Sequence, residues 1–168
     1  GAVRRVLAAC ALLFLQLPAE RAGGLECHPR ARAGTAAGSA GAAGFRDGIG
    51  AAHFSGPTGL AAGAAGELFV ADAGNNCIRL VRWEAGATGR LAVATTVVGG
   101  AGSGFADGPA VLAKLLSPQG LAYAPEVAGA EEPAALFVAD EGNSRVRRVA
   151  LDGAGRAVAT VAGSGAPG

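Results

Sequence analysis

Bulky side chains are scarce in this chain. Among 168 residues there are six Phe, one Trp, one Tyr and no Met. Its 51% hydrophobic content is largely Ala, which buries little area, so the core cannot be a cluster of aromatic rings. The net charge of +1 gives no general pull toward nucleic acid or an anionic membrane. Two His and three Cys, with no Cys-x-x-Cys pair, are too few for a zinc site; Cys27 and His28 are adjacent but lack further ligands. No catalytic constellation, metal site or cofactor is expected. The one long apolar run, Val6–Leu15, is well short of the ~20 residues that cross a bilayer. Without Met the sequence has no initiator, and a fragment or a processed form is expected.

The N-terminus has a pattern of its own. Arg4 and Arg5 precede VLAACALLFL, and Gln16-Leu17-Pro18-Ala19 follows. A basic start, a short apolar stretch and a small-residue exit match a secretory signal peptide over residues 1–22, cut near Ala19 or Ala22. An organellar transit peptide or a buried amphipathic helix are the alternatives. The expected location is therefore secreted or otherwise exported. Cys10 would leave with the signal; Cys27 and Cys77 would then either form one disulfide or leave Cys77 as a buried thiol. Residues 23–43 read as an Ala/Gly-rich low-complexity linker.

Gly is plentiful, at 29 residues, and its placement exposes a repeat. Glu67–Arg79 reads ELFVADAGNNCIR, and Leu136–Arg147 reads LFVADEGNSRVR. Around these stretches two units align, 44–103 and 104–165, with 166–168 opening a further segment. Gly44-Phe45-Arg46-Asp47-Gly48 matches Gly104-Phe105-Ala106-Asp107-Gly108. Pro57-Thr58-Gly59-Leu60 matches Pro118-Gln119-Gly120-Leu121, and Thr96-Val97 matches Thr160-Val161. Drift in the offset places longer loops at Glu84–Arg90 and Pro125–Pro133.

Each unit contains four strand candidates bounded by Gly, Pro, Asn or Asp: Gly59–Ala62, Leu68–Ala71, Cys77–Trp83 and Leu91–Val98, then Gly120–Ala124, Leu136–Ala139, Arg145–Leu151 and Ala157–Ala162. The fold class is all-β, with two blades of four antiparallel strands in a partial β-propeller. The third strand carries Arg79 and Arg82 in one unit and Arg145, Arg147 and Arg148 in the other, which predicts a solvated strand near the outside. Asp72, Gly74 and Asn75, and their counterparts Asp140, Gly142 and Asn143, read as turn residues. The carboxylate accepts backbone N–H groups, the Gly takes positive φ, and the Asn tolerates it. Pro57 and Pro118 stiffen the start of the first strand, and Gly59 and Gly120 allow close backbone approach. A calcium role for Asp47, Asp72, Asp107 and Asp140 is the functional alternative.

The D-G-I-G-A-A-H-F stretch at Asp47–Phe54, Pro57-Thr58-Gly59-Leu60-Ala61 and Gly66–Arg79 resemble the NHL-repeat family of β-propellers. The second unit departs from the pattern at Pro109, at Leu115 and in its long Ala124–Ala135 loop. The resemblance implies a non-catalytic scaffold that contacts a protein, peptide or glycan. Glu84 and Arg90 in one loop, and Glu126, Glu131 and Glu132 in the other, are its candidate interaction residues. It also implies that two blades need further blades or self-association to close a ring. Two alternatives follow from it. One is part of a peptide-amidating lyase with catalytic residues in further blades, since only His28, His53 and Tyr123 are at hand here. The other is an RNA-binding module, for which Trp83 is the one aromatic near the Arg-bearing strands; nucleic acid is not the expected partner.

Overall fold

In a computed structural model, residues 35–39, 41–86, 89–100, 102–128, 132–152 and 156–166 are described. The signal-like segment 1–22, Cys27, His28 and most of the linker lie outside them. The described residues belong to one compact unit made of two antiparallel sheets.

The first sheet holds β1 (Gly48–Ile49), β2 (Pro57–Ala62), β3 (Leu68–Asp72), β4 (Cys77–Gly86) and β5 (Gly89–Gly99) in the order β1-β5-β4-β3-β2. The second holds β6 (Gly108–Pro109), β7 (Pro118–Ala124), β8 (Ala135–Asp140), β9 (Arg145–Ala150) and β10 (Ala157–Ala162) in the order β6-β10-β9-β8-β7. The eight strands read from sequence are all present. Each sheet gains a fifth, two-residue strand at its outer edge, contributed by the Asp-Gly stretch that opens the repeat. A two-residue strand has no periodicity, so the pattern carried no sign of it.

The two blades repeat down to their irregularities. In β5 the register slips between Ile78↔Val98 and Arg79↔Thr96, leaving Val97 as the extra residue; in β10 it slips at the same place, leaving Val161. Such bulges turn a strand locally and redirect its groups. The third-strand expectation is overturned. β4 and β9 sit mid-sheet, and Arg79 and Arg147 are fully buried. In β4, Ile78 and Leu80 point toward the second blade, while Val81 packs with Val70, Ala92 and Ala94 on the opposite face. With both faces covered, the strand reads as a near-continuous buried run.

The main core lies between the blades. Phe69, Ala71, Ile78, Leu80 and Val97 of the first meet Leu136, Val138, Val149 and Val158 of the second. Phe69 also stacks on Tyr123, with ring centroids 6.0 Å apart. At the inner strands the backbones come close enough that a Cβ on Gly59 would collide with the Gln119 carbonyl oxygen. Glycine there is a packing requirement. Gly120 has no such neighbour among the described residues, its nearest atom being Ala139 Cβ at 3.6 Å.

Candidate functional site

The most concentrated chemistry in the chain is a buried charge cluster that occurs twice. In the second blade, Arg147 Nη1 donates to Asp140 Oδ2 (2.7 Å) and to the Lys114 carbonyl (3.1 Å). Its Nη2 donates to Asp107 Oδ1 (2.6 Å) and the Ala106 carbonyl (2.8 Å), and Nε reaches Asp107 at 3.1 Å. The guanidinium also lies over the Phe105 ring, 4.9 Å from its centroid. In the first blade Arg79 pairs with Asp72 (3.0 Å) and Asp47 (2.5 Å) and bonds the carbonyls of His53 and Arg46. Its guanidinium lies over the rings of Phe45 and Phe54, 5.3 and 4.8 Å from their centroids. The copies differ: Leu115 stands in the second blade where Phe54 stands in the first, and Arg79 Nε has no partner among the described residues.

The two carboxylates of each cluster have distinct tasks. Asp72 and Asp140 are fully buried. Each accepts the side-chain amide of the Asn three residues on (2.8 Å in both copies). Each also accepts a backbone N–H, but from Ser55 and Leu116, well upstream of the turn that the sequence reading had them hold. Asp47 and Asp107 accept the N–H and hydroxyl of Thr96 and Thr160 just before the bulge. Partial burial alone would raise the Asp107 carboxyl; the hydrogen bonds from Arg147 and Thr160 outweigh it and hold the group below the usual carboxylate range. Each Arg thus ties the segment opening its repeat to β3–β4 or β8–β9, and Asp47 or Asp107 ties that segment to β5 or β10.

The turn residues act differently from the expectation. Gly74 and Gly142 do not have positive φ; that conformation falls on Asn76 (φ 53°) and Ser144 (φ 50°). What glycine provides is room. A Cβ on Gly74 would lie 2.7 Å from the Ser55 carbonyl oxygen, and one on Gly142 would lie 2.8 Å from that of Leu116. Asn75 and Asn143 serve through their side chains, each also donating to the carbonyl of the first Gly of its repeat, Gly44 or Gly104 (2.8 Å).

These engagements leave the cluster little reactive chemistry. A guanidinium donates hydrogen bonds and accepts none. Every oxygen of Asp72 and Asp140 already accepts a donor, so the set reads as an internal clamp and not as a calcium cage. Among the described residues no group of three or more His, Cys, Asp or Glu could hold a metal ion. Cys77 is a fully buried free thiol, pushed up to about 12 by burial and, next, by the Asp72 carboxylate. His53 is half-buried, and its backbone, not its ring, bonds Arg79.

The expected interaction residues are dispersed. Glu84 and Arg90 are exposed but lie in β4 and β5, in a hairpin paired as far as Gly86↔Gly89. The insertion read as a loop lengthens the strands instead, because extra residues on both sides can continue the ladder. Glu126 is exposed outside any strand. Glu132 is exposed and pairs with Arg148 at 3.2 Å, and Glu131 lies outside the described residues. Arg82 pairs with Glu67 at 2.7 Å. Arg145 stacks on Phe105 at 3.9 Å. The five Arg residues therefore do not form one free basic face.

Residues 54–79 match the NHL repeat. The chain carries an NHL repeat. The matched segment runs from the end of the Asp-Gly stretch through β2 and β3 to Arg79, and the second blade repeats its Asp, Asn and Arg as Asp140, Asn143 and Arg147. Among solved structures, the chain is similar to an auxiliary nutrient binding protein from Bacteroides ovatus. The identity is 27% and the TM-score 0.50, over 60% of this chain and 24% of that one. This NHL-repeat chain thus spans about a quarter of the length of that protein. No curated protein gives a significant match.

Proposed function

We propose that the chain is a non-catalytic NHL-repeat scaffold, exported from the cell, that binds a protein, peptide or glycan through the loops of its blades. The observation that carries this reading is the use of the buried charges. Both clamps are consumed in holding each blade's own strands together, while Glu84 and Arg90 on the β4–β5 hairpin and Glu126 after β7 are exposed polar groups able to meet a partner. A nutrient binding protein among the structural relatives supports recognition in place of catalysis. The signal-like residues 4–19 support export.

The test is direct. The chain is expressed with a C-terminal tag in a secretory host, and the medium is assayed for it, with N-terminal sequencing to locate the cut. Secreted protein is then screened on glycan and peptide arrays beside two variants, Glu84→Ala with Arg90→Ala, and Glu126→Ala with Glu131→Ala and Glu132→Ala. Specific binding lost in one variant with its thermal melt unchanged is the expected result. Binding untouched by both variants would remove these surfaces from the reading.

A further inference from the structure

The motif that closes each unit occurs a third time, ahead of the first blade. Thr96-Val97-Val98-Gly99 ends the first unit and Thr160-Val161-Ala162-Gly163 the second. Thr35-Ala36-Ala37-Gly38 repeats the pattern inside the Ala/Gly-rich stretch. Among small residues such a match arises easily by chance, so the backbone decides. Gly38 has a φ of +104°, where Gly99 has +85° and Gly163 +94°. From Gly38 and from Gly99 the chain turns into the next Gly-Phe-x-Asp-Gly opening, at Gly44 or Gly104. The Gly44 N–H donates to the Phe54 carbonyl (3.1 Å), and the Gly104 N–H donates to that of Leu115 (3.1 Å).

The packing repeats as well. Val97 and Val98 are buried in the core between the blades, with Leu136, Val138, Val149 and Val158 of the second blade. The matching positions of the first blade are Leu68, Val70, Val81 and Ala94. Ala37 packs against the cluster that holds Val70, Val81 and Ala94. Gly38 lies along Phe54, where a Cβ would come 3.4 Å from the ring. Thr35, Ala36 and Ala37 rim an apolar cleft of about 330 Å³, lined below by Leu60, Leu68, Val70 and Val81. Ala36 and Ala37 stand where the repeat has Val97 and Val98, and the smaller side chains leave that space unfilled.

We propose that Thr35–Ser39 is a strap made from the repeat's own closing motif and not part of a linker. It docks on the first blade in the way that the end of β5 docks on the second, and it shields the apolar face there from water and from other chains. Two Ala side chains cover little area, so the strap is held weakly, and single substitutions within it should shift it measurably.

Thermal melts and hydrogen exchange on the full chain test this. Ala37→Val puts the repeat's larger side chain into the cleft and is expected to raise the midpoint by about 3 °C. Ala37→Asp sets a carboxylate against Val70 and Val81 and is expected to lower it by at least as much. Deleting Thr35–Ser39 is expected to uncover the face, read as brighter fluorescence of added anilinonaphthalenesulfonate. In the wild type, the amides of residues 36–38 are expected to exchange more slowly than those of the same sequence as a free peptide. Wild-type exchange at the free-peptide rate would overturn the proposal, whether or not any variant folds. So would an Ala37→Val midpoint no higher than that of the wild type, an Ala37→Asp midpoint no lower, or a deletion that leaves the dye unchanged.

Discussion

Replacing Arg147 with Met removes the hub of the second clamp while keeping much of its aliphatic volume. Both Asp140 and Arg147 are fully buried, so the change leaves a carboxylate in the core with only the Leu116 N–H and the Asn143 amide to neutralise it. The carbonyls of Ala106 and Lys114 lose a donor as well. Removing one partner of a buried ion pair costs about 3–5 kcal/mol, against a total stability of roughly 5–15 kcal/mol for a domain. With a urea slope of about 2 kcal/mol per molar, the unfolding midpoint should fall by about 2 M. Arg82→Ala is the control, because its pair with Glu67 is exposed and such pairs contribute about 0–1 kcal/mol. The measurement is equilibrium urea denaturation followed by circular dichroism, at one low protein concentration so that any association adds equally. Adding Asp140→Asn to Arg147→Met should cost less than the sum of the single changes, since the second substitution removes the stranded charge. A loss for Arg147→Met no larger than that for Arg82→Ala would refute the clamp as the element that holds the blade.

Further outcomes follow from the same geometry. Gly59→Ala should lower the thermal midpoint, with a cost of about 1–3 kcal/mol from forcing a methyl group against the Gln119 carbonyl; a melt equal to wild type would deny the close approach. Asp107 has a lowered folded pKa, so its contribution is present above the ordinary carboxylate value of 3.8 and is lost as pH falls through the folded value. Urea midpoints of wild type and Asp107→Asn should therefore converge in acid and separate above about pH 4, and a constant difference across that range would contradict this. Cys77 should escape iodoacetamide at about pH 8 in the native protein and react once denaturant is added, read by peptide mass mapping; native labelling at the rate of an open thiol would show that it is not buried.

The strands were legible because apolar runs bounded by Gly, Pro and Asn recur twice in one order. The role of Arg79 and Arg147 was not, since a charged residue in a strand ordinarily marks a solvated face and nothing in its local pattern distinguishes a buried Arg. The same failure hid Asp47 and Asp107, which meet their partners from 32 and 40 residues away. Glycine at positions 74 and 142 was read through its conformational freedom, but the constraint comes from a carbonyl far along the chain. Contacts of that separation leave no trace in spacing.

One signal did separate the buried arginines from the others, and it lies in the repeat itself. Arg79 aligns with Arg147. By contrast Arg82 aligns with Ala150, Arg145 with Cys77 and Arg148 with Leu80. Only the matched pair is fully buried; Arg82 is exposed and Arg145 and Arg148 are half-buried. The Arg kept in both units serves what both blades do, which is to hold their own strands together. A residue that differs serves what only one blade meets. Leu80 packs against the second blade, whereas Arg148, at the same position, pairs with the exposed Glu132. The differences between two otherwise equal units therefore mark where the molecule meets its surroundings, and they point to the surface around Arg148 and Glu132 and to the unequal hairpin ends.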